Sequence, residues 1–261
     1  MIEAEELRKI AGIDRTDFLG YPVDSLDMRD AIAFVESAIS RDTSCYIAVQ
    51  NANKMYLADK HPTVAKVISE AALILPENAI NIGMSLLGRP LKARDVGGVR
   101  LMGALLNEAD KHGWAVYFIG GTKENLDKMI ARLQREFPRI PIAGNMDGYF
   151  SEGETENVVQ GIAATGANLL FVGMGSPKQE LFIANNLDGL NVNVAIGVGG
   201  SFNVFAGVEK PAPAWSKYGL EWLYRSFQDP KKFKRYVVVN SYFIYKLLRY
   251  VFHVDRGRGT R

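Results

Sequence analysis

The chain has 261 residues, of which 48% are hydrophobic and 23% charged, and it contains one cysteine. This composition excludes a collagen-like, disordered or disulfide-stabilised protein. The formal net charge of +2 is unevenly distributed, because residues 215–261 carry eleven Lys and Arg against three Asp and Glu, a local charge of +8 that leaves −6 elsewhere. The same segment holds twelve of the 27 aromatic residues, so a basic, aromatic tail follows an acidic body.

The start of the chain and its cysteine content favour a cytoplasmic protein. The first ten residues, MIEAEELRKI, lack the basic start and apolar core of a secretory signal. Cys45 has no partner for an internal disulfide, which favours a reducing compartment. The longest uncharged stretch, residues 189–208, is interrupted by glycine and asparagine, so we expect no transmembrane helix there.

Short apolar runs alternate with helical patterns between residues 20 and 205. The strand-like runs are residues 46–49, 116–119, 169–172 and 194–198. Helical spacing follows the first run over residues 55–72 and the second over residues 126–133. This alternation predicts an α/β fold with a largely parallel sheet covered by helices.

Three of the strand-like runs end in glycine. These turns contain Gly120 and Gly121, Gly173 and Gly175, and Gly199. Ligands of open parallel sheets bind beyond the carboxyl ends of the strands, so the three turns together predict a nucleotide crevice. For any single turn, the better explanation is that a tight strand-to-helix connection needs glycine.

The segment FVGMGSPKQE, residues 171–180, is the most informative motif. We predict that Ser176 is the N-cap of a helix and Pro177 its first residue. Free N–H groups at such a helix start, together with Met174 and Lys178, predict a phosphate or diphosphate site. The motif lacks the third glycine of a dinucleotide fingerprint and the Lys-Ser/Thr of a P-loop, so it does not identify which anion binds.

The body is predicted to span residues 1–214 and a helical tail residues 215–261, because two prolines near residue 212 prevent regular structure. Tail helices are predicted over residues 219–228 and 231–252. Spacing places Lys231, Arg235, Tyr242, Lys246 and Arg249 on one face, with Val237, Ile244, Leu248 and Val251 elsewhere. Aromatic and aliphatic residues at helical spacing favour an anionic membrane surface over nucleic acid as the partner.

A series of short motifs runs along the chain in a recognisable order. The motifs are QNANKM (50–55), LILPE (73–77), LLGRPL (86–91), FIGG (118–121), GYF (148–150), residues 171–180, GVGGSF (197–202) and GLEWLYR (219–225). Over roughly residues 18–236 the series resembles the bacterial WecG/TagA/CpsF glycosyltransferases.

The resemblance implies an inverting sugar transfer on a Rossmann-like fold. The donor would be a UDP-sugar carrying a hexose or an N-acetylhexosamine-type sugar, such as N-acetylmannosamine or its uronic acid. The acceptor would be a sugar linked to undecaprenyl diphosphate, in the synthesis of a surface polysaccharide or cell-wall polymer. The family implies no cofactor or essential metal, and a basic C-terminal appendage that closes the active site and holds the enzyme peripherally on the inner face of the cell membrane.

The resemblance also nominates catalytic residues. Glu77 aligns with the family's aspartate base and is longer by one methylene group, which shifts its oxygens by ~1 Å. Asn51 and Gln179 complete the predicted catalytic set, with Gln179 orienting sugar hydroxyls. The alternatives are a solvated loop carboxylate for Glu77 and a helix-surface amide for Gln179.

The remaining candidates would bind substrate. We predict that Arg225 and Arg235 bind the departing diphosphate, with membrane phospholipid as the alternative contact. Arg94 is a further substrate-binding candidate, and Tyr149 is predicted either to stack on uracil or to be a buried structural tyrosine. No metal site is predicted, since the three histidines lack ligand spacing.

Two departures from the family pattern keep alternatives open. Val49 stands where a threonine is frequent, and Arg100 where an aspartate is usual. They indicate either altered sugar specificity or a membrane-docked assembly protein that binds UDP-sugar without catalysis. A nucleotide-dependent oxidoreductase is less well supported because the GxGxxG spacing is missing. The sequence does not identify the oligomeric state, so a homo-oligomer is a further alternative.

Overall fold

A computed structural model describes residues 2–92, 96–210, 224 and 233–258 of the chain. The strands are β1 Asp14–Phe18, β2 Tyr21–Ser25, β3 Cys45–Gln50, β4 Leu73–Pro76, β5 Val116–Gly120, β6 Ile142–Met146, β7 Leu169–Gly173 and β8 Val194–Gly197. The helices are α1 Ile2–Ile10, α2 Met28–Ser40, α3 Ala52–Lys60, α4 Pro62–Ser69, α5 Asn78–Leu86, α6 Gly98–His112, α7 Lys123–Glu136, α8 Thr155–Ala163, α9 Lys178–Leu190, α10 Ser201–Phe205 and α11 Phe233–Arg258, and a 3-10 turn covers Glu152–Glu154.

Six strands form one parallel sheet in the order β4-β3-β8-β7-β5-β6. The predicted α/β fold is therefore confirmed, and the arrangement is Rossmann-like. Strands β3, β4 and β8 are buried along their whole length, as expected for a parallel sheet covered on both faces.

The two faces of the sheet carry separate apolar cores. One face, which includes Ile47 and Phe171, packs against α2, α6, α7 and α10, whereas the opposite face, which includes Ala48 and Leu170, packs against α4, α8 and α9. Helix α10 follows β8 and packs on the face that includes Phe171, whereas α3, which follows the neighbouring strand β3, packs against α4, the hairpin of β1 and β2, and α11. A crevice opens between the carboxyl ends of these two strands.

An antiparallel hairpin, β1 and β2, is tied to the edge of the sheet by the buried carboxylate of Asp24. The Arg15 guanidinium donates to both carboxylate oxygens of Asp24, at 2.8 and 2.9 Å. Asp24 is fully buried and also accepts the backbone N–H of Ile74 at 2.6 Å. The hairpin is thereby fixed beside β4.

Helix α11 packs on the hairpin and on α3. Phe243 is buried and stacks on Phe18 with ring centroids 5.9 Å apart. Lys246 Nζ lies 2.6 Å from Asp59 and donates to the Tyr21 hydroxyl. A helix was predicted over residues 231–252, and its existence is confirmed. The other predicted tail helix, residues 219–228, lies outside the described residues except for the helical Tyr224.

One sequence-based helix is wrong in extent. Residues 55–72 do not form a single helix, because α3 ends at Lys60 and α4 begins at Pro62. His61 between them has an extended backbone, as the steric demand of a following proline requires. In the part of the chain described here, no helix has both the length and the apolar character needed to cross a bilayer.

Candidate active site

A cavity of about 350 Å³ lies over the carboxyl ends of β3, β4 and β8. Its wall is formed by Val49, Asn51–Lys54, Glu77–Ala79, Gly98, Val99, Ser176, Gln179, Gly197–Ser201, Glu209, Arg235, Tyr236, Val239 and Asn240. The last four residues belong to α11, so the tail helix supplies one side of the cavity. The three predicted catalytic residues, Asn51, Glu77 and Gln179, all reach this wall.

Asn51 and Glu77 meet because they follow adjacent strands. The N–H of Glu77 donates to the Gln50 carbonyl, which continues the pairing of β3 with β4. Asn51 is the N-cap of α3, where its Oδ1 accepts the N–H of Lys54 at 2.9 Å. This bond turns Nδ2 of Asn51 toward Glu77, and Nδ2 donates to Glu77 Oε2 at 2.9 Å. The cap therefore orients the carboxylate.

A second carboxylate, Glu180, is buried beside the cavity. Its Oε1 accepts hydrogen bonds from Lys54 Nζ at 2.7 Å, Gln179 Nε2 at 2.8 Å and Ser176 Oγ at 3.0 Å. Burial alone would raise the pKa of Glu180, but the charge of Lys54 and these hydrogen bonds outweigh burial and lower it. Glu180 is therefore ionised at neutral pH.

The predicted cap at the start of α9 is wrong. The helix begins at Lys178, Pro177 occupies the cap position, and no side chain caps the helix. Ser176 is held instead by its bond to Glu180. The helix starts one residue later than predicted, so Ser176 stands one residue before the cap position.

The predicted glycine turns after β5 and β7 form a compact backbone cluster beside the cavity. A Cβ atom at Gly120 would lie 2.7 Å from the Gly173 Cα, so these two glycines permit the strand ends to touch. Gly121 donates its N–H to the Gly173 carbonyl at 3.1 Å, and Lys178 Nζ donates to the Gly148 carbonyl at 2.9 Å. Of the predicted glycines, Gly199 alone reaches the cavity wall.

The other residues predicted from this region lie near the glycine cluster. Met174 packs close to Gly148, Gly175 has a left-handed φ of 74°, and Tyr149 is 77% exposed. The alternative of a buried structural tyrosine is thus wrong. Uracil stacking by Tyr149 stays a prediction.

The candidate arginines are not equally placed. Arg235 lines the cavity, with its guanidinium carbon 5.4 Å from the centre of the Tyr236 ring. Arg94 and Arg225 lie outside the described residues. Arg100 is exposed in the first turn of α6. Val49, the other departure from the family pattern, is part of the cavity wall and offers no hydrogen bond.

Sequence reasoning missed several polar residues of the cavity. Lys54 lies within the motif QNANKM, but a lysine in a short helix is ordinarily a surface residue. Glu209 accepts from Asn203 Nδ2 at 3.2 Å, and Asn203 Oδ1 accepts from Asn125 at 3.1 Å, so a chain of side chains links α7 to the cavity. Glu209 lies in none of the sequence motifs.

One group of acidic and histidine side chains in the described residues is close enough to hold a metal ion: Glu36, Glu108 and His112. It lies at the carboxyl end of α6, whereas Gly98 at the amino end lines the cavity. A helix of this length separates the two places by about 20 Å. The group is therefore separate from the cavity.

Comparison with known proteins identifies the family to which the chain belongs. The family model described as the glycosyl transferase WecG/TagA/CpsF family matches residues 16–257. A curated relative from Bacillus spizizenii, named N-acetylglucosaminyldiphosphoundecaprenol N-acetyl-beta-D-mannosaminyltransferase, is 33% identical over 229 residues, which cover 85% of this chain and 88% of the relative. The chain therefore belongs to the WecG/TagA/CpsF family and is a glycosyltransferase.

Proposed function

We propose that the protein transfers an N-acetylhexosamine-type sugar from a UDP-sugar to a sugar acceptor linked to undecaprenyl diphosphate, during synthesis of a cell-wall or surface polysaccharide. The observation that carries the proposal is the Asn51–Glu77 hydrogen bond at the wall of a cavity over the carboxyl edge of the sheet. The relative's printed name supports both the acceptor and the type of sugar.

Glu77 acts in this proposal as the general base. Its carboxylate removes the proton of the acceptor hydroxyl while that oxygen attacks the anomeric carbon of the donor. The bond between the sugar and UDP breaks in the same step, so the configuration at the anomeric carbon inverts. Asn51 holds one carboxylate oxygen at 2.9 Å and thereby limits the positions that the longer glutamate side chain can adopt.

The departing UDP needs positive charge or N–H donors. Arg235 enters the cavity wall from α11 and presents a planar donor fork that suits a diphosphate. The loop after β8, residues 197–201, lines the same cavity, but the N–H groups of Val198, Gly199 and Ser201 already donate to other groups of the protein. Arg225 and Arg94 remain candidates for the same task.

The tail helix has a second task in this proposal. Exposed apolar residues cover the outer side of α11, namely Val237, Val238, Ile244, Tyr245, Leu248, Val251 and Phe252. Tyr242 and Lys246 contact the body instead. Since apolar residues flanked by exposed Lys234 and Arg249 suit an anionic membrane surface, we assign residues 215–261 to peripheral membrane binding.

The function is tested by incubating the full chain with a panel of UDP-sugars and a short-chain N-acetylglucosamine diphosphate lipid. We expect one UDP-N-acetylhexosamine to give UDP and a lipid-linked disaccharide, detected by mass spectrometry. Transfer from none of the UDP-sugars would contradict the proposal. Binding of NAD(P) without any UDP binding would contradict it as well.

Membrane binding is tested by flotation with vesicles that contain anionic phospholipid. We expect the wild-type chain to float and Leu248→Glu to stay unbound, because the substitution places a charge on the apolar side of α11. Glu124→Gln on the exposed surface of α7 is the control. Salt should weaken binding, since each basic residue near the surface contributes ~1 kcal/mol. Binding of the Leu248→Glu chain at the wild-type level would contradict the assignment.

A further inference from the structure

We infer that the buried Lys54–Glu180 ion pair is a positioning device for sugar transfer, which fixes the carboxamide of Gln179 and, through it, the loop that contains Gly199. The inference deepens the proposed function and rests on it for the activity measurement. Neither member of the ion pair was among the residues nominated from the sequence.

The first step of the argument is the orientation of Gln179. Glu180 Oε1 accepts from Lys54 Nζ at 2.7 Å and from Gln179 Nε2 at 2.8 Å. An ionised carboxylate can only accept hydrogen bonds, so the NH₂ end of the Gln179 carboxamide must face it. A flipped carboxamide would set two oxygens against each other. The ion pair therefore selects one of the two orientations of the amide.

The second step is the loop after β8. With its NH₂ end turned to Glu180, Gln179 presents Oε1 to the backbone N–H of Gly199, and the two atoms are 3.0 Å apart. The carboxamide also packs tightly on the strand end, since a Cβ at Gly197 would lie 2.7 Å from Gln179 Nε2. Gln179, Gly197 and Gly199 all line the cavity, so the orientation of one amide sets the shape of this wall.

The third step is the connection to the proposed base. Lys54 lies on α3, whose N-cap is Asn51, the residue that holds Glu77. Glu180 lies in the first turn of α9, next to Gln179. The ion pair therefore joins the helix that orients the base to the helix that carries Gln179, another residue of the cavity wall.

A purely structural role does not account for the arrangement. The side chains of Lys54 and Glu180 are 4% and 3% exposed, so both charges have lost their hydration. Glu180 Oε2 is buried and has no hydrogen-bond partner among the described residues. Apolar residues of similar volume are often as stabilising as a buried ion pair. The protein keeps two buried charges although apolar residues could replace them without loss of stability. We therefore infer that the Glu180 carboxylate is needed as a hydrogen-bond acceptor beside the cavity.

The test uses the full-length double variant Lys54→Met/Glu180→Met, which removes both charges and leaves no buried ion unpaired. We expect a melting temperature equal to or above that of the wild type. We also expect kcat to fall at least tenfold with little change in the KM of the UDP-sugar. Hydrogen exchange of the peptide covering residues 197–202 should become faster, because Gln179 no longer has a fixed orientation.

The matched control is Glu124→Met/Lys128→Met, which removes an exposed ion pair on α7. It should leave kcat and the exchange of residues 197–202 unchanged. The inference is overturned if the folded Lys54→Met/Glu180→Met chain keeps wild-type kcat and wild-type exchange.

Two further outcomes are distinguishable. If the wild-type chain transfers no sugar, the proposed function fails, and the exchange measurement alone decides whether the ion pair positions the loop. If the double variant does not fold, Lys54→Gln/Glu180→Gln replaces it, because this variant also leaves no buried ion unpaired. A glutamine at residue 180 is neutral and can rotate its NH₂ group toward Gln179. We again expect faster exchange of residues 197–202, and unchanged exchange overturns the inference.

Discussion

The two halves of the sheet's carboxyl edge use different chemical groups. The half formed by β3, β4 and β8 presents side chains, among them Glu77 and Asn51, to a cavity, and Gln179 reaches the same cavity from the start of α9. The half formed by β5 and β7 presents mostly backbone, because Gly120 and Gly173 approach too closely for any side chain. The first half thus has the acids, amides and cations that bond-breaking needs, and the second has the close backbone approach that suits a flat or phosphorylated ligand.

Loss of the base should have the largest effect on kcat. It tests most directly whether the half formed by β3, β4 and β8 carries the chemistry. In Glu77→Gln, the side chain keeps its size but can no longer accept the hydroxyl proton. We expect kcat for sugar transfer to fall by roughly 10²–10⁴-fold, with UDP affinity unchanged. Steady-state kinetics and calorimetry of UDP binding measure the two quantities.

Glu70→Gln is the control for this prediction, because Glu70 is an exposed carboxylate at the end of α4. It should keep wild-type kcat. A Glu77→Gln enzyme with unaltered turnover would assign the base to another residue.

Removal of a cation from the cavity should have the next largest effect. Arg235→Gln keeps hydrogen-bonding groups but loses the charge that faces the leaving diphosphate. A charged hydrogen bond contributes about 1.5–3 kcal/mol, so kcat should fall roughly 10- to 100-fold. Lys234→Gln changes the preceding exposed residue of α11, which is not part of the cavity wall, and should change kcat less than twofold. Equal losses in the two variants would indicate a general effect of tail charge.

A substitution in the half formed by β5 and β7 should affect the free energy of unfolding more than the rate of sugar transfer. In Gly120→Ala, the added methyl group meets the backbone of Gly173, and the φ of 134° is unfavourable for alanine. We expect the free energy of unfolding to fall by about 1–3 kcal/mol in urea titrations.

Gly161→Ala is the matched glycine substitution, because open space surrounds this position in α8. It should stabilise the protein slightly, since alanine favours helix. If Gly120→Ala were as stable as the wild type, the close contact between the ends of β5 and β7 would be contradicted.

The smallest effect is expected for alkylation of Cys45 on β3. This strand lies between β4 and β8, in the half of the sheet edge that forms the cavity. Burial raises the pKa of the Cys45 thiol to about 12, so the thiolate is scarce at neutral pH. The native protein should resist alkylation by iodoacetamide at pH 8 and react after unfolding in urea. Rapid alkylation of the native chain would show that this strand opens.

Much of the fold was predictable because buried parallel strands leave continuous apolar runs. The runs at residues 46–49 and 169–172 lie within the observed β3 and β7. The helix predicted over residues 55–72 failed at Pro62, whose effect on His61 a count of apolar spacing does not include. Strand order was not predictable, since it depends on pairing between distant segments.

The candidate site was predictable where the family resemblance assigns a role to a residue. Asn51 and Glu77 are such residues, and their contact follows from the pairing of β3 with β4. Lys54 and Glu180 were not recognised, because only the packing of α3 against α9 shows that their charges are buried together. The cap predicted at Ser176 failed because α9 begins at Lys178, one residue later than predicted.

The anomeric configuration of the product tests the central claim most directly. The claim is that one carboxylate, Glu77, activates the acceptor for a single displacement of UDP. With an α-linked UDP-N-acetylhexosamine and the N-acetylglucosamine diphosphate lipid, the one-bond C1–H1 coupling measured by NMR reports the new linkage. The account predicts a β linkage with UDP as the second product. An α linkage would contradict it, because a single displacement from the face opposite UDP inverts the anomeric carbon.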